Sequence, residues 1–407
     1  MKKGFIVCAA IIAVTAFLAG NALALTVEEE IAELKNSVAA LQQGTSKSDL
    51  SQALGIKIEA GGTFILQGIS KANDGSDKGR TDGSVTFDLG FGKEFENGGS
   101  AFMHIEGGAG EGLNGFYYDD VNDEDVSFVN TYSSLNGDAG SSESFMEVTE
   151  LWYEQPLFDE KVTVTFGKLN AAGYFDDNAV ANDETEQFLA AMFVNNTAIA
   201  MPDNSLGLRV TYSPLEKLDI TYAYFNQNEG WGNIDCGGWN AIQATFKLSE
   251  TGNYRVMYWG SNQEAFSHKD GKAASVYGIA FSLDQAVSET VSLFARYGYQ
   301  NPEVSEISGS WSLGAQFGGS MWTRENDAIG VAVGQNMVSK DYVDSFKAQG
   351  EDYKDDSETQ AEVYYKLGIN DNIALTPVMQ YVSKPMGGNT TEDNAIFTFG
   401  IRTQISF

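Results

Sequence analysis

The sequence predicts an all-β chain, a sixteen-stranded antiparallel transmembrane β-barrel preceded by a short N-terminal periplasmic amphipathic helix. Three observations predict it. First, the chain closes on a two-residue alternation: Ala395, Phe397, Phe399, Ile401, Thr403, Ile405 and Phe407 fall on one face, and Thr398, Gly400, Arg402, Gln404 and Ser406 on the other. A period of two is that of an extended strand with one apolar and one wet face. Second, the same alternation recurs along the chain, with connections that are short and long by turns, as in outer-membrane barrels. Third, the chain begins with an export signal.

The elements follow in order. In residues 1–24, Lys2 and Lys3 form a positive start, Ile6 to Leu18 an apolar core, and Ala22-Leu23-Ala24 a small-x-small cleavage site. Cys8 lies inside that signal, far from the cleavage site, which argues against a lipoprotein. Residues 25–52 read as a short periplasmic helix and linker, because Ile31, Leu34, Val38 and Leu41 keep heptad spacing among charged residues. Two heptads do not make a stable coiled coil alone, so this helix is either a packing element or an oligomerisation handle. Residues 53–407 form the barrel. Beyond Ala24 no segment approaches the apolar length of a membrane-spanning helix.

Sixteen strands are expected at 56–67, 82–95, 98–108, 144–155, 161–168, 205–213, 217–226 and 238–248, then 252–260, 274–284, 289–299, 308–318, 326–334, 358–368, 372–383 and 394–407. Most have the nine to eleven residues that a tilted strand needs to cross a bilayer. Short turns such as Asn97-Gly98 and Ser249 to Gly252 alternate with long connections at 109–143, 169–204, 261–273 and 335–357. A soluble sandwich has no reason to keep that parity. With both termini in the periplasm, every long loop falls outside the cell.

The alternation also sorts the faces. Val85, Phe87, Leu89 and Phe91 are assigned to lipid, as are Leu208, Val210 and Tyr212, and Val291, Leu293, Ala295 and Tyr297. The lumen receives Lys57, Glu59, Asp88, Glu106, Glu150, Trp152, Glu154, Arg209, Asp219, Arg255, Arg296, Glu362, Lys366 and Arg402. So many charges require a wet interior, and sixteen strands enclose one.

Composition excludes several functions. Without Lys2 and Lys3 the chain has 23 basic and 56 acidic residues, a formal charge of −33, which repels nucleic acid. Cys236 is the only cysteine after the signal, and His104 and His268 are far apart in sequence, so neither a disulfide nor a metal centre is expected, and no cofactor is implied. Asp119 to Asp125 is rich in oxygen ligands but lacks the spacing of a calcium loop, and reads as a solvated acidic loop that bridges to lipopolysaccharide through divalent ions at most. Carboxylate pairs such as Asp176 and Asp177, or Glu184 and Glu186, have the residue types of a glycosidase, but they lie in a loop without a basic residue, and no enzyme is expected.

The connection 169–204 carries the clearest functional signal. Its apolar run Phe188 to Val194 has to be buried, and folding into the lumen would bury it and narrow the pore. Asp183, Glu184, Glu186 and Gln187 would then face the channel.

Several runs resemble the OprB family of carbohydrate-selective porins: ELWYEQPLFDE from Glu150 to Glu160, FGKLN from Phe166, YFDDN from Tyr174, ANDETEQFL from Ala181 and FVNN from Phe193. The later part is similar too, with WSLGAQFGG from Trp311, DAIGVAVGQ from Asp327, EVYYK from Glu362, LTP from Leu375, QYV from Gln380 and FGIRTQ from Phe399. The resemblance runs from about Glu150 to Phe407; it is weak over Ile56 to Phe145 and does not include the helix 27–43. It implies an outer-membrane porin passing small sugars such as monosaccharides by diffusion. Combined with the parity, it implies a constriction of Asn178, Asn182, Glu184, Glu186 and Gln187 facing Arg209, Arg255 and Arg296, with Glu150, Trp152 and Glu154 nearby. Trp152, Trp259 and Phe294 are candidates for stacking on sugar rings. A general cation-leaning porin and a structural outer-membrane protein tethered by its helix remain as alternatives. Expected partners are sugars as permeants, outer-membrane lipid and lipopolysaccharide, the outer-membrane assembly machinery, which would read the terminal strand ending in Phe407, and a second copy of the chain.

Overall fold

The computed structural model describes residues 51, 55–70, 79–119, 124–127, 129–140, 143–227, 231, 237–249, 251–390 and 395–407. The export signal, the helix 27–43 and Cys236 lie outside the described residues.

The first half contributes β1 (Lys57–Ile69), β2 (Arg80–Glu94), β3 (Ser100–Ala109), β4 (Phe116–Asp119), β5 (Glu124–Ser127), β6 (Phe145–Leu157), β7 (Val162–Leu169), β8 (Ser205–Leu215) and β9 (Leu218–Asn226). The second half contributes β10 (Gly238–Ser249), β11 (Gly252–Phe266), β12 (Ala273–Ala286), β13 (Val291–Gln300), β14 (Ile307–Gly318), β15 (Ala328–Val338), β16 (Glu358–Asn370), β17 (Ile373–Ser383) and β18 (Ile396–Ser406). Sixteen of these close into an antiparallel barrel, each strand beside its sequence neighbour, while β4 and β5 form a separate hairpin in the first long loop. β18 returns to β1 in register, from Gly61 opposite Ser406 to Ile69 opposite Thr398. The barrel therefore has no edge strand, the condition for a sheet to survive in lipid.

All sixteen expected strands are present. The outer face carries the alternating apolar residues, with Phe64, Val85, Leu208, Tyr212, Leu293, Tyr297, Phe397, Phe399 and Ile401 exposed on the isolated chain. Among the described residues no helix is long and apolar enough to cross a membrane; strands do the crossing. The tight turns tolerate this geometry where glycine permits it, as at Gly98, whose φ of 78° suits the turn between β2 and β3.

Three features were not anticipated. β11 and β12 run past the expected ends at 260 and 274 and form a taller hairpin, with Phe266 exposed near its tip. The loop 335–357 contains α2 (Lys340–Ala348), following the one-turn α1 (Ala191–Val194). Ser339 caps α2 by accepting the Tyr342 N–H, Asp341 sits in its first turn and Lys347 in its last, matching the helix dipole at both ends. Part of the acidic loop pairs as a hairpin, with Asp119 opposite Glu124 in β4–β5.

Candidate functional site

The loop joining β7 to β8 lies inside the barrel. Its apolar side chains find two cores there. Phe188, Leu189, Ala190, Met192 and Phe193 pack with Ile65 of β1, Phe294 of β13, Tyr364 of β16 and Val378 of β17. The Phe188 ring lies 5.5 Å from Phe294 and 5.0 Å from Tyr364, centroid to centroid. Phe175, nearer the start of the loop, packs with Phe225, Trp239, Ala241 and Trp259 on β9 to β11. The buried run is a plug core, set against the inner faces of β9 to β18 and of β1.

Charged wall residues then fix the loop's backbone. Arg296 on β13 donates to the carbonyls of Phe193 at 2.8 Å, Asp176 at 2.8 Å and Ala181 at 2.5 Å, and to Asn182 Oδ1 at 3.1 Å. Its Nε pairs with the Asp176 carboxylate at 3.1 Å, and both side chains are 0% exposed. The planar guanidinium fork suits such multiple recognition. Glu362 on β16 accepts the N–H groups of Leu189 and Ala190, each at 2.7 Å. Arg402 on β18 donates to the carbonyls of Glu184 at 2.5 Å and Gln187 at 3.0 Å. Arg255 on β11 bridges Asp284 at 2.5 Å and Asp177 at 2.9 Å. A buried ion pair adds little net stability, but removing one member leaves a costly unpaired charge, so these groups define position.

A second segment, 129–140, also turns inward and docks on the first. The Gly137 N–H donates to Leu189 O at 2.7 Å, and the Ala191 N–H to Ser134 O at 2.9 Å. Gln67 and Gln380 donate to Leu135 O at 3.1 and 2.8 Å, and the Asp138 carboxylate accepts from Thr86 Oγ1 at 2.8 Å. Sequence reasoning treated this segment as part of an outer loop. Its apolar signals are Val129 and Leu135, which are both buried in one cluster.

The remaining wall, β2, β3 and β6 to β8, carries partly exposed charges. Asp88, Glu106, Glu147, Glu150 and Glu154 share it with His104 and Arg209, and with Lys168, which is itself buried against Glu147 and Val148 O. Arg209 donates to Glu154 at 2.5 Å and lies 4.2 Å over the Tyr174 ring. Trp152 Nε1 donates to Glu150 at 3.1 Å, and its ring packs 5.5 Å from Phe102. Across from this wall is the loop's edge, where burial pushes the Glu184 carboxyl up to about 7, reinforced by Asp183, Glu106 and Asp88. Asp138 is pushed up to about 8 for the same reason, against the opposing pull of Thr86. Burial opposes ionisation of Glu186 too, but the Lys366 ammonium 2.7 Å away holds its carboxyl below the usual range.

The expected constriction residues thus divide. Arg209, Glu150, Trp152 and Glu154 lie on the open wall, and Asn182, Glu184, Glu186 and Gln187 on the loop, where Glu186 pairs with Lys366 of β16 and Asn182 Oδ1 accepts from Arg296. Asn178 is buried, donating to Ser282 Oγ at 3.3 Å and Leu283 O at 3.0 Å. Arg255 and Arg296 point inward as the parity requires, but they are buried under the loop and hold it. Trp259 and Phe294, expected to stack on sugars, are covered by the loop and offer no free face. Asp176 and Asp177 do not act as a carboxylate pair, because each is paired with its own arginine. Glu362 and Arg402 were assigned to the lumen without a task, and their task is to bind the loop. Below the loop edge a polar cavity of about 520 Å³ opens toward the periplasmic turns, lined in part by Glu186, Gln187, Gln316, Lys366 and Gln404.

Known proteins show the same architecture. Over residues 72–407 the chain matches the model of the carbohydrate-selective porin, OprB family. Porin B of Pseudomonas aeruginosa is 23% identical over 320 residues, which cover 64% of this chain and 68% of that protein. The high-pH structure of Pseudomonas putida OprB superposes with a TM-score of 0.71 at 18% identity, covering 88% of this chain and 96% of that one. Its low-pH structure gives 0.55 at 16% identity over the same shares. The fold is therefore that of an outer-membrane porin, a channel rather than an enzyme, and the chain belongs to the OprB family of carbohydrate-selective porins.

Proposed function

We propose that small sugars diffuse through the passage between the edge of the inward loop and the wall of β2, β3 and β6 to β8. The observation that carries this is the fixing of the loop from β11 to β18 by Arg255, Arg296, Glu362 and Arg402, which closes one side of the lumen. On the proposed path, Asn182, Glu184, Glu186 and Gln187 supply donors and acceptors from the loop, and Glu150, Glu154 and Arg209 supply them from the wall. Neutral polyols are held by such bidentate polar groups, and the half-covered Trp152 and Tyr174 rings supply apolar contact for sugar C–H faces. The cavity of about 520 Å³ below would receive the sugar on its way to the periplasm.

Liposome swelling with sugars of graded size tests the reading. Fast swelling with monosaccharides and a steep fall beyond disaccharides is expected. Rates that favour organic cations over sugars of equal size would support the second reading, a cation-leaning porin, which draws on the carboxylates Asp88, Glu106 and Glu147 side by side on the wall.

We further propose that Phe407 serves assembly. Its N–H closes the barrel onto Ala60 O at 2.8 Å, and its ring is exposed, where the assembly machinery would read it. Membrane-inserted yield of Phe407→Ala against wild type tests this; equal yields would end the idea. Outer-membrane lipid and lipopolysaccharide as the barrel's surroundings, and a second copy of the chain as a partner, belong to the same proposal, with native mass and cross-linking as the measurements.

A further inference from the structure

We propose that Asp88, His104 and Glu106 form a divalent-cation site on the lumen wall. Asp88 of β2 stands directly opposite Glu106 of β3, and Glu106 directly opposite Glu147 of β6. Like charges placed opposite one another across strands destabilise a sheet. Here three carboxylates form one row halfway across the barrel. Glu147 is relieved by Lys168, whose Nζ lies 2.6 Å away. Among the described residues no Lys or Arg ion pair reaches Asp88 or Glu106.

Among the described residues, the cationisable group that reaches Asp88 is His104. Its Nδ1 lies 2.7 Å from Thr149 Oγ1, and its Nε2 lies 3.0 Å from Asp88 Oδ1. In the tautomer whose Nδ1–H donates to Thr149, the Nε2 lone pair faces the Asp88 carboxylate and is available to a bound cation; without one, a proton on Nε2 completes the contact. A second-shell partner on one ring nitrogen that frees the other for a metal is the usual support of a histidine ligand. The bulge between β3 and β6, where the register shifts at His104 and Ile105, places Thr149 to make that contact.

One donor atom from each of Asp88, His104 and Glu106 lies within 4.8 Å of the others. A zinc ion about 2.0–2.1 Å from each tetrahedral ligand needs donors about 3.3 Å apart. The Asp88–His104 separation is already near that, and the half-exposed Glu106 has only to swing inward. One imidazole and two carboxylates favour zinc or manganese over calcium, and leave positions open to lumen water. The pairing is invisible in the sequence because it depends on register between β2 and β3.

Zinc binding to the untagged, detergent-folded porin, by calorimetry and by current through single channels with micromolar zinc added, tests the site. One zinc per barrel and a reduced current are expected for wild type and for His268→Gln, which alters the only other histidine. His104→Gln and Glu106→Gln should each weaken binding at least tenfold and abolish the current change, and Thr149→Val should weaken binding about tenfold. Heat-modifiability establishes that each variant is a folded barrel, and either of the two ligand variants suffices if the other fails to fold. No binding by wild type, or binding by a folded His104→Gln or Glu106→Gln barrel equal to wild type, would overturn the site and leave Asp88–His104 as a simple ion pair.

Discussion

Two parts of the lumen wall obey the same alternation and put their charges to opposite uses. On β11 to β18 the inward charges meet a loop: Arg296 and Asp176 are fully buried, Arg255 and Asp284 nearly so, and their hydrogen bonds run to the loop's backbone and carboxylates. On β2, β3 and β6 to β8 the charges meet one another and water: Asp88 is 33% exposed and Glu147 41%. An inward charge is therefore not by itself a permeant-binding group. What distinguishes the two uses is whether a backbone lies within reach, and the burial that follows. The covered wall sets the position of the constriction, and the open wall sets its electrostatic character.

That division is most directly broken by removing the loop. Deleting Asp183 to Val194 takes out the Phe188–Phe193 core and the tethers to Glu362 and Arg402, and single-channel conductance should rise severalfold in an intact barrel. Unchanged conductance would mean that the loop does not narrow the path. Next in size is Arg296→Ala, which leaves Asp176 buried and unpaired at a local cost of about 3–5 kcal/mol. The barrel should survive, with a higher and noisier current. Glu362→Ala exposes two orphaned N–H groups, each worth about 1–3 kcal/mol. Flickering without a large change in mean conductance is expected, and a quiet channel would show that Arg402 and the apolar packing suffice.

A smaller effect comes from pH. The Asp138 and Glu184 carboxyls are raised to about 8 and about 7, facing Asp88 and Glu106 from the wall, Asp183 from the loop, and Arg402 from β18. A raised folded value means that the docked state holds its proton longer than the undocked one. Docking is thus strongest below the ordinary carboxylate range and weakens as pH climbs toward the raised values. From about pH 6 to about pH 9 the channel should become more cation-selective and noisier. Reversal potentials that stay flat over that interval, or that change equally in the Asp138→Asn, Glu184→Gln double variant, would contradict this. The smallest effect is expected for Arg209→Ala on the open wall. It frees Glu154 and removes one positive group, so cation preference should rise while conductance stays within about twofold, because the loop loses only the stacking on Tyr174 and no hydrogen-bonded tether.

These contrasts also mark what the sequence made legible. The sixteen strands were readable because a membrane barrel repeats one constraint, lipid on one side and water on the other, at every second residue. The inward loop was readable from Phe188 to Val194, an apolar run with no other place to go. The α2 helix was missed although its Ser339 cap and charged ends were present, because the surrounding loop offered no apolar periodicity long enough to compete. The partners of the charges were not readable at all. Nothing local to Arg296 separates it from Arg209, yet one is closed over by three loop carbonyls and the other shares a partly open wall with Glu154. Likewise, Asp88 and His104 meet through strand pairing, which alternation constrains by face but not by partner.

The loop's anchors also bear on the order of assembly. Ile65 of β1 and Arg402 of β18 both hold it, and these strands are the first and last to be made and meet only at the seam. The loop's full set of anchors therefore does not exist until the circle is complete. An intermediate with fifteen strands paired would carry a partly seated plug beside an open edge, and its opening would not yet discriminate by size. Closing the seam between β1 and β18 is thus also what completes the loop's seating.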